Sequence, residues 1–526
     1  MNPYLNWLKK VIIAFVLFVI SIVLPIISFN YYIDPLWLFG HKNQWNDIQQ
    51  GFNERQQKVN KWTFSESKKQ TDALLLGSSR STYLNEHDFK GINVYNFAVS
   101  SMQVEEYEGY VEYAKSQTGK EFDYIFLGLD FFASNTFRPA PEKKPSYYIE
   151  NTNSYLYRLK SLASIDTLKK SIVDFQSSRI NKPTFIDHRY YSRTNIAKPF
   201  SAPIDLVNRR IETNIYEHYQ MPERYKYDSN IKDMLIRLKE KNPHTEFIVY
   251  TTPITYPRMA VELQQKEYWQ GYTNWLTDIV DVFGEVHHFM TVNKVTTNLS
   301  NFVDSHHFKP EIGSDIIDHI WNKSNQTNEN FGVDITKKNI DESIKSTKRD
   351  LKEYENSIFS YLEPIKGTKI FEWNTARFQG PLKSSSILDQ THPFQIVGLK
   401  GDFQFINKDS SLLIQPTNVK SSPLIQLGYQ LDESIETKSE KRLSVIISLK
   451  GLVKNPGDVQ LFIQDQANDT WEGVNYNTII SPNQTRAFKV SKVIRDHPSS
   501  VLFGIKWTAD NESEWVQIEK VEVFEE

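Results

Sequence analysis

From Val11 to Phe29 the chain reads VIIAFVLFVISIVLPIISF, without a single charge. Crossing the hydrocarbon of a bilayer takes about 20 apolar residues in a helix. The apolar core of a secretory signal is only about 7–15 residues long and runs into a small-residue cleavage site. The exit here, Ser28-Phe29-Asn30-Tyr31, lacks such a site, so residues 11–29 are expected to be an uncleaved transmembrane anchor rather than a removed leader. Lys9 and Lys10 stand before it, and the first charge after it is Asp34. The positive-inside bias then puts residues 1–10 in the cytoplasm and everything past about residue 30 outside, in a periplasm or beyond a plasma membrane. Trp7, Tyr31, Tyr32 and Trp37 fall where interfacial aromatic belts are expected, and Pro25 is tolerated near the end of the span.

The remainder has the texture of soluble protein. Its 526 residues suit two or three domains. A formal charge of −3 gives nucleic acid no electrostatic reason to bind. With no cysteine, disulfides, thiolate metal sites and cysteine nucleophiles are excluded. No zinc, calcium-loop, dinucleotide or P-loop spacing occurs, so neither metal nor cofactor is expected.

Residues 41–70 are polar without long apolar runs, and 30–70 reads as a linker with some helix. Then come short continuous apolar runs, Ala73–Leu76, Val94–Val99, Tyr124–Leu129 and Phe247–Tyr250, each ending at turn residues. Runs of this kind suit parallel strands buried on both faces. Helical patterns lie between them, at Glu105–Lys115 and Ile231–Lys241. Alternation of this kind predicts an α/β domain with a mostly parallel sheet over 71–323, with a polar and aromatic insertion at 136–228. Within 324–365, Ile340, Ile344, Thr347, Leu351, Tyr354, Ile358 and Tyr361 step as a heptad seam, expected as a helix packed on a neighbouring domain ahead of a self-associating coil. After Pro364, β-branched and alternating runs at Arg442–Leu449, Val459–Ile463, Ala487–Val490 and Val516–Val523, parted by turn clusters, predict a β-sandwich over 366–526. Trp373, Trp471, Tyr476, Trp507 and Trp515 in this region suit core packing first and a sugar-stacking platform second.

Two clusters carry chemistry. The first strand ends in Gly77-Ser78-Ser79-Arg80, where a tight turn can expose a hydroxyl and aim amides at an oxyanion. Far along the chain, Asp304-Ser305-His306-His307 stands before a helical run. A serine nucleophile needs a base such as histidine, and that base needs a carboxylate to fix its tautomer. Asp304 and His307, three apart on one turn, suit those roles. Arg80 is a candidate to hold an anionic group or to pair with a nearby carboxylate.

The pairing of Gly77-Ser78-Ser79 with Asp304-x-x-His307 resembles the SGNH/GDSL hydrolase superfamily over 71–323. The resemblance implies a three-layer α/β/α flavodoxin-like domain, with Ser79 as nucleophile, His307 as base and Asp304 as its orienting acid; the D-x-H spacing of some relatives makes His306 the alternative base. The family's second block falls on Asn96 to Ser101, with Ser101 where glycine is usual. There the resemblance makes Asn96 a candidate for substrate binding and the Ser101 amide an oxyanion donor beside that of Ser79. The third block falls on Gly128-Leu129-Asp130, where Asp130 replaces the asparagine donor of the oxyanion hole. An ionised carboxylate repels an oxyanion, so Asp130 is expected to be protonated or to do something else. The layout of anchor, SGNH-like domain and β-domain is similar to proteins that O-acetylate alginate-type polysaccharides or transfer D-alanine to teichoic acids. It implies an O-acyltransferase or esterase acting on a cell-surface polysaccharide, fed by an acyl donor and a membrane-bound O-acyltransferase. A carbohydrate-binding scaffold without catalysis is the competing expectation.

Overall fold

The computed structural model describes residues 3–185, 189–200, 207–208, 211, 214–215, 218, 224–323, 331–353, 368–374, 394–408, 411–418, 423–431, 441–453, 459–466, 470–475, 480, 485–494, 501–510 and 512–525. The chain divides into two compact units, Met1–Asn208 with Glu223–Ile358, and Arg209–Pro222 with Phe359–Glu526. Helices and sheets mix in the first. The second, in its described residues beyond 367, is all β.

In the first unit the central strands are β2 (Ala73–Leu76), β3 (Val94–Asn96), β4 (Tyr124–Gly128), β7 (Glu246–Tyr250), β8 (Glu285–His288) and β9 (Val333–Thr336). They lie side by side as β3-β2-β4-β7-β8-β9. The first five run parallel, and β9 closes the edge antiparallel to β8. Successive strand residues point to opposite faces. Ala73, Leu75, Phe126, Ile248 and Tyr250 join a core with Ile312, Ile316 and Ile317 of the helix Pro310–Ile317. Leu74, Leu76, Ile125 and Leu127 point the other way and are just as buried. Both faces are therefore covered, which is why these strands are apolar at every position instead of at alternate ones.

Helix α1 (Pro3–Ile33) contains a 27-residue stretch, Trp7–Ile33, long and apolar enough to cross a bilayer. The expected linker at 30–70 is instead part of the first unit, a correction to the sequence reading. Helix α2 (Glu54–Phe64) buries Gln56, Gln57, Lys58, Val59, Asn60 and Trp62, and Trp37 and Leu38 are also buried. The short strand β1 (Gln49–Gln50) pairs with β5 (Arg189–Tyr191), which pairs with β6 (Ala197–Pro199). So many polar side chains in an interior leave no apolar run for a sequence pattern to catch. Between β4 and β7 lie helices α4 (Pro145–Asn153), α5 (Tyr157–Leu162) and α6 (Ile165–Arg179). The helix Ile340–Glu353 belongs to this unit and buries Thr347 beside Tyr272. Tyr354, Ile358 and Tyr361 of the heptad seam lie outside the described residues.

The second unit is a β-sandwich. One sheet runs β12 (Asp402–Lys408), β13 (Ser411–Asn418), β20 (Trp515–Glu525), β15 (Lys441–Leu452), β18 (Arg486–Ile494), with β10 (Thr368–Asn374) also on β20. The other runs β11 (Phe394–Lys400), β14 (Leu424–Gln430), β19 (Val501–Thr508), β16 (Val459–Asp465), β17 (Thr470–Asn475). Leu443, Val445, Ile447, Ile518 and Val521 of the first sheet share one core with Leu427, Leu461, Ile463, Phe503 and Trp507 of the second. Trp507 thus packs in the core, Trp515 is half-buried, and Trp471 is 43% exposed on the edge strand, stacked on Phe462. The side chains of Trp373 and Tyr476 lie outside the described residues.

Candidate active site

Strand β2 delivers the serine turn. Gly77 has φ of 156°, and a Cβ there would stand 2.2 Å from Ser81 Oγ, so only glycine fits. The Ser81 amide donates to Ser78 O at 3.0 Å and closes the turn. Ser78 and Arg80 are buried, whereas Ser79 between them is half-buried and reachable. It sits at the carboxyl end of β2, the strand about which the spatial order reverses, where open parallel sheets bind ligands.

The loop 302–308 delivers the other two residues. Phe302 and Phe308 are both 0% exposed and pair as an antiparallel bridge, pinching the loop at its base. Thr255 donates twice to Ser305 O and ties the loop to the segment after β7. Asp304 folds the turn on itself: its Oδ1 accepts from the His306 and His307 amides at 2.8 and 2.7 Å. Its Oδ2 lies 2.7 Å from His307 Nδ1, and His307 Nε2 lies 2.8 Å from Ser79 Oγ. Burial would raise the Asp304 carboxyl. The His306 and His307 rings and the hydrogen bonds they donate outweigh it and hold the group well below the usual carboxylate range. An ionised Asp304 only accepts, so His307 Nδ1 donates to it, and Nε2 is the ring nitrogen that faces the serine hydroxyl.

His306 points elsewhere. Its Nδ1 is 3.3 Å from Ser305 Oγ and 3.5 Å from Asp304 Oδ1. Burial first, then the neighbouring His307, Arg80 and Arg258, push its ring well below the usual histidine range against the pull of Asp304. Among the described contacts, the ring that reaches Ser79 is His307.

The oxyanion expectations divide. Ser101, at the position where the resemblance has glycine, adopts φ of 51°, the left-handed region glycine favours. Asp130, however, is buried with both oxygens accepting. Ser78 Oγ donates to Oδ2, Thr252 Oγ1 donates to Oδ1, and Arg80 Nη1 is 3.4 Å from Oδ1. Both oxygens are taken up by these neighbours, which corrects its assignment to the oxyanion hole. Arg80 is 6% exposed; its guanidinium also contacts Thr252 Oγ1 at 3.4 Å and covers the Phe132 ring. It pairs with the neighbouring carboxylate, and its Nε is buried without a partner. Asn96 is corrected too. Its amide nitrogen donates to Ser81 O and Leu84 O at 3.0 and 2.8 Å and its oxygen accepts from the Ala98 amide, so it is a strut under the serine turn and not a substrate contact.

Ser78 and Thr252 escaped the sequence reading. The signal available was their place: both follow the carboxyl ends of parallel strands. Two groups among the described residues have metal-ligand chemistry, Asp304 with His306 and His307, and His287 with His319 and Asp334. In the first, both His307 nitrogens are already engaged. In the second, one Asp334 oxygen takes His287 and His319 at 2.6 and 2.9 Å. His288 beside them is 0% exposed, with Thr251 and Tyr272 hydroxyls on its two nitrogens.

No family model and no curated protein matches the chain. Among solved structures it is similar to the CBM22-1 xylan-binding domain from Paenibacillus barcinonensis Xyn10C, at 11% identity over 30% of this chain and 95% of that one, TM-score 0.20. It is also similar to the BiXyn10A CBM1 domain, at 12% identity over 30% and 98%, TM-score 0.19. A carbohydrate-binding module of family 29 aligns at 14% identity over 30% and 88%, TM-score 0.19.

Proposed function

We propose that the chain is an α1-anchored extracytoplasmic serine acyltransferase or esterase of SGNH type acting on a cell-surface polysaccharide. The observation that carries it is the unbroken line from Ser79 Oγ through the His307 ring to Asp304, with links of 2.8 and 2.7 Å. Three further features support it. The five parallel strands, counted along the chain, stand in order 2-1-3-4-5, that of a flavodoxin-like sheet. Ser79 lies at its switch point. Ser101 has the backbone conformation of the glycine it replaces.

In this reading Ser79 Oγ attacks an acyl carbonyl while His307 Nε2 takes its proton. The tetrahedral oxyanion collapses to an acyl-enzyme as His307 returns the proton to the leaving oxygen. A glycan hydroxyl or water, deprotonated by the same nitrogen, then releases the acyl group. Asp304 stabilises the imidazolium in both halves. The amides of Ser79 and Ser101 are the donors to the oxyanion, because Asp130 is not one.

Asp130 also favours a second reading, a glycan-binding scaffold that retains the fold without turnover. Losing one oxyanion donor typically costs about 10²–10³ in rate. A fluorophosphonate probe separates the two. The full chain in detergent is expected to label, and Ser79→Ala to abolish labelling. A folded wild-type protein that takes no label, yet still binds glycan after Ser79→Ala, leaves the scaffold.

A further inference from the structure

Helix α6 is built inside out. Its buried face is polar: Thr167, Ser171, Asp174 and Ser177. Ser171 donates to Asn30 Oδ1 at 2.8 Å, and Asp174 Oδ1 accepts from the Gln50 amide at 2.9 Å. Ile165 and Ile172, two turns apart and so on one face, are 55% and 41% exposed. Just upstream, around α5, Tyr155, Leu156 and Leu159 are 82%, 46% and 50% exposed, and Ile180 beyond α6 is 59% exposed. A helix on a water-facing surface has the opposite pattern. Single exposed apolar residues are ordinary, but six between Tyr155 and Ile180 point to contact with something apolar.

The position of α1 identifies that contact. Asn30 is the first polar residue after the uncharged apolar run, and it is 0% exposed. Its side chain donates to Leu162 O at 2.8 Å and Ser164 O at 3.2 Å, the joint between α5 and α6. Phe29, the last residue of that run, meets Phe175 of α6 edge-on at 5.6 Å. The α5–α6 elbow is thereby fixed to the end of the apolar run of α1. Its charge fits a lipid surface as well. Residues 154–182 hold six basic residues (Arg158, Lys160, Lys169, Lys170, Arg179, Lys182) against two acids (Asp166, Asp174), in a chain of net charge −3. Basic residues flanking an apolar helix face suit anionic headgroups.

We propose that α5 and α6 form an apron lying in the outer headgroup layer, so that the first unit rests on the bilayer surface beside its own anchor. This rests on α1 crossing the membrane. The chain has no cysteine, so each introduced thiol is unique. Full-length Ile165→Cys, Ile172→Cys, Ile20→Cys and Glu240→Cys are spin-labelled and reconstituted in phosphatidylcholine vesicles with and without phosphatidylglycerol. Collision with oxygen and with a water-soluble nickel chelate then gives depth. Labels at 165 and 172 are expected about 5–10 Å into the interface, deeper with phosphatidylglycerol present. The label at 20 is expected deep in hydrocarbon and that at 240 in water. Aqueous labels at 165 and 172 with a deep label at 20 overturn the apron and leave a protein partner as the cover for this surface. An aqueous label at 20 overturns the anchor, and the apron with it.

Discussion

Asp130 shows how much one acid can change beside the turn that presents Ser79 to His307. If it were a protonated donor, Asp130→Asn would keep the donor and raise turnover toward that of an asparagine-bearing site. With Ser78, Thr252 and Arg80 all donating to it, asparagine instead leaves a buried guanidinium without its counter-charge. Removing one partner of a buried pair typically costs about 3–5 kcal/mol. Asp130→Asn is expected to lower the unfolding free energy, read by chemical denaturation, by that order while turnover stays level or falls. Faster turnover with undiminished stability would return Asp130 to the oxyanion hole. The Ser79, Asp304 and His307 positions were legible because a post-strand serine and a D-x-x-H turn are local geometries. The Asp130 cluster was not, because its hydroxyl partner Thr252 stands 122 residues away and looks like any other threonine.

At the scale of elements, legibility followed patterning. The strands announced themselves because both faces are buried, and the alternating runs of the second unit gave its sandwich. Helix α2 did not, since it is held by polar contacts. Arg55 on α2 grips Glu106 of helix α3 (Val104–Thr118) with two bonds, at 2.7 and 2.8 Å, and Glu106 also caps α3 through the Gln103 amide. Glu106 is 1% exposed. Glu106→Gln is therefore expected to destabilise the first unit by about 3–5 kcal/mol, read by chemical denaturation. A loss below about 1 kcal/mol would mean that α2 is only loosely attached. The edge strand β9 was equally hidden, four residues whose partners on β8 precede them by 45 to 51 positions.

For the whole molecule, pH is the informative variable. Burial holds the His288 ring down at about 3, against 6.5 for the free side chain. The folded state thus keeps it neutral, while the unfolded chain protonates below about 6.5. Its contribution is complete above that pH and is lost as pH falls toward 3, at roughly 1.4 kcal/mol per unit. The melting temperature of the first unit is expected to decline over this window, and His288→Gln to flatten the decline. An unchanged slope would show that His288 is not responsible. The second unit brings a different constraint, one of timing. Strand β20, eleven residues long, pairs with β10, β13 and β15. Strands made early in synthesis therefore wait, with their apolar sides uncovered, for residues 515–525 to arrive. This sandwich can close only once residues 515–525 have been made, so it folds after all its other strands exist, and in the interval it depends on whatever shields unfinished sheets.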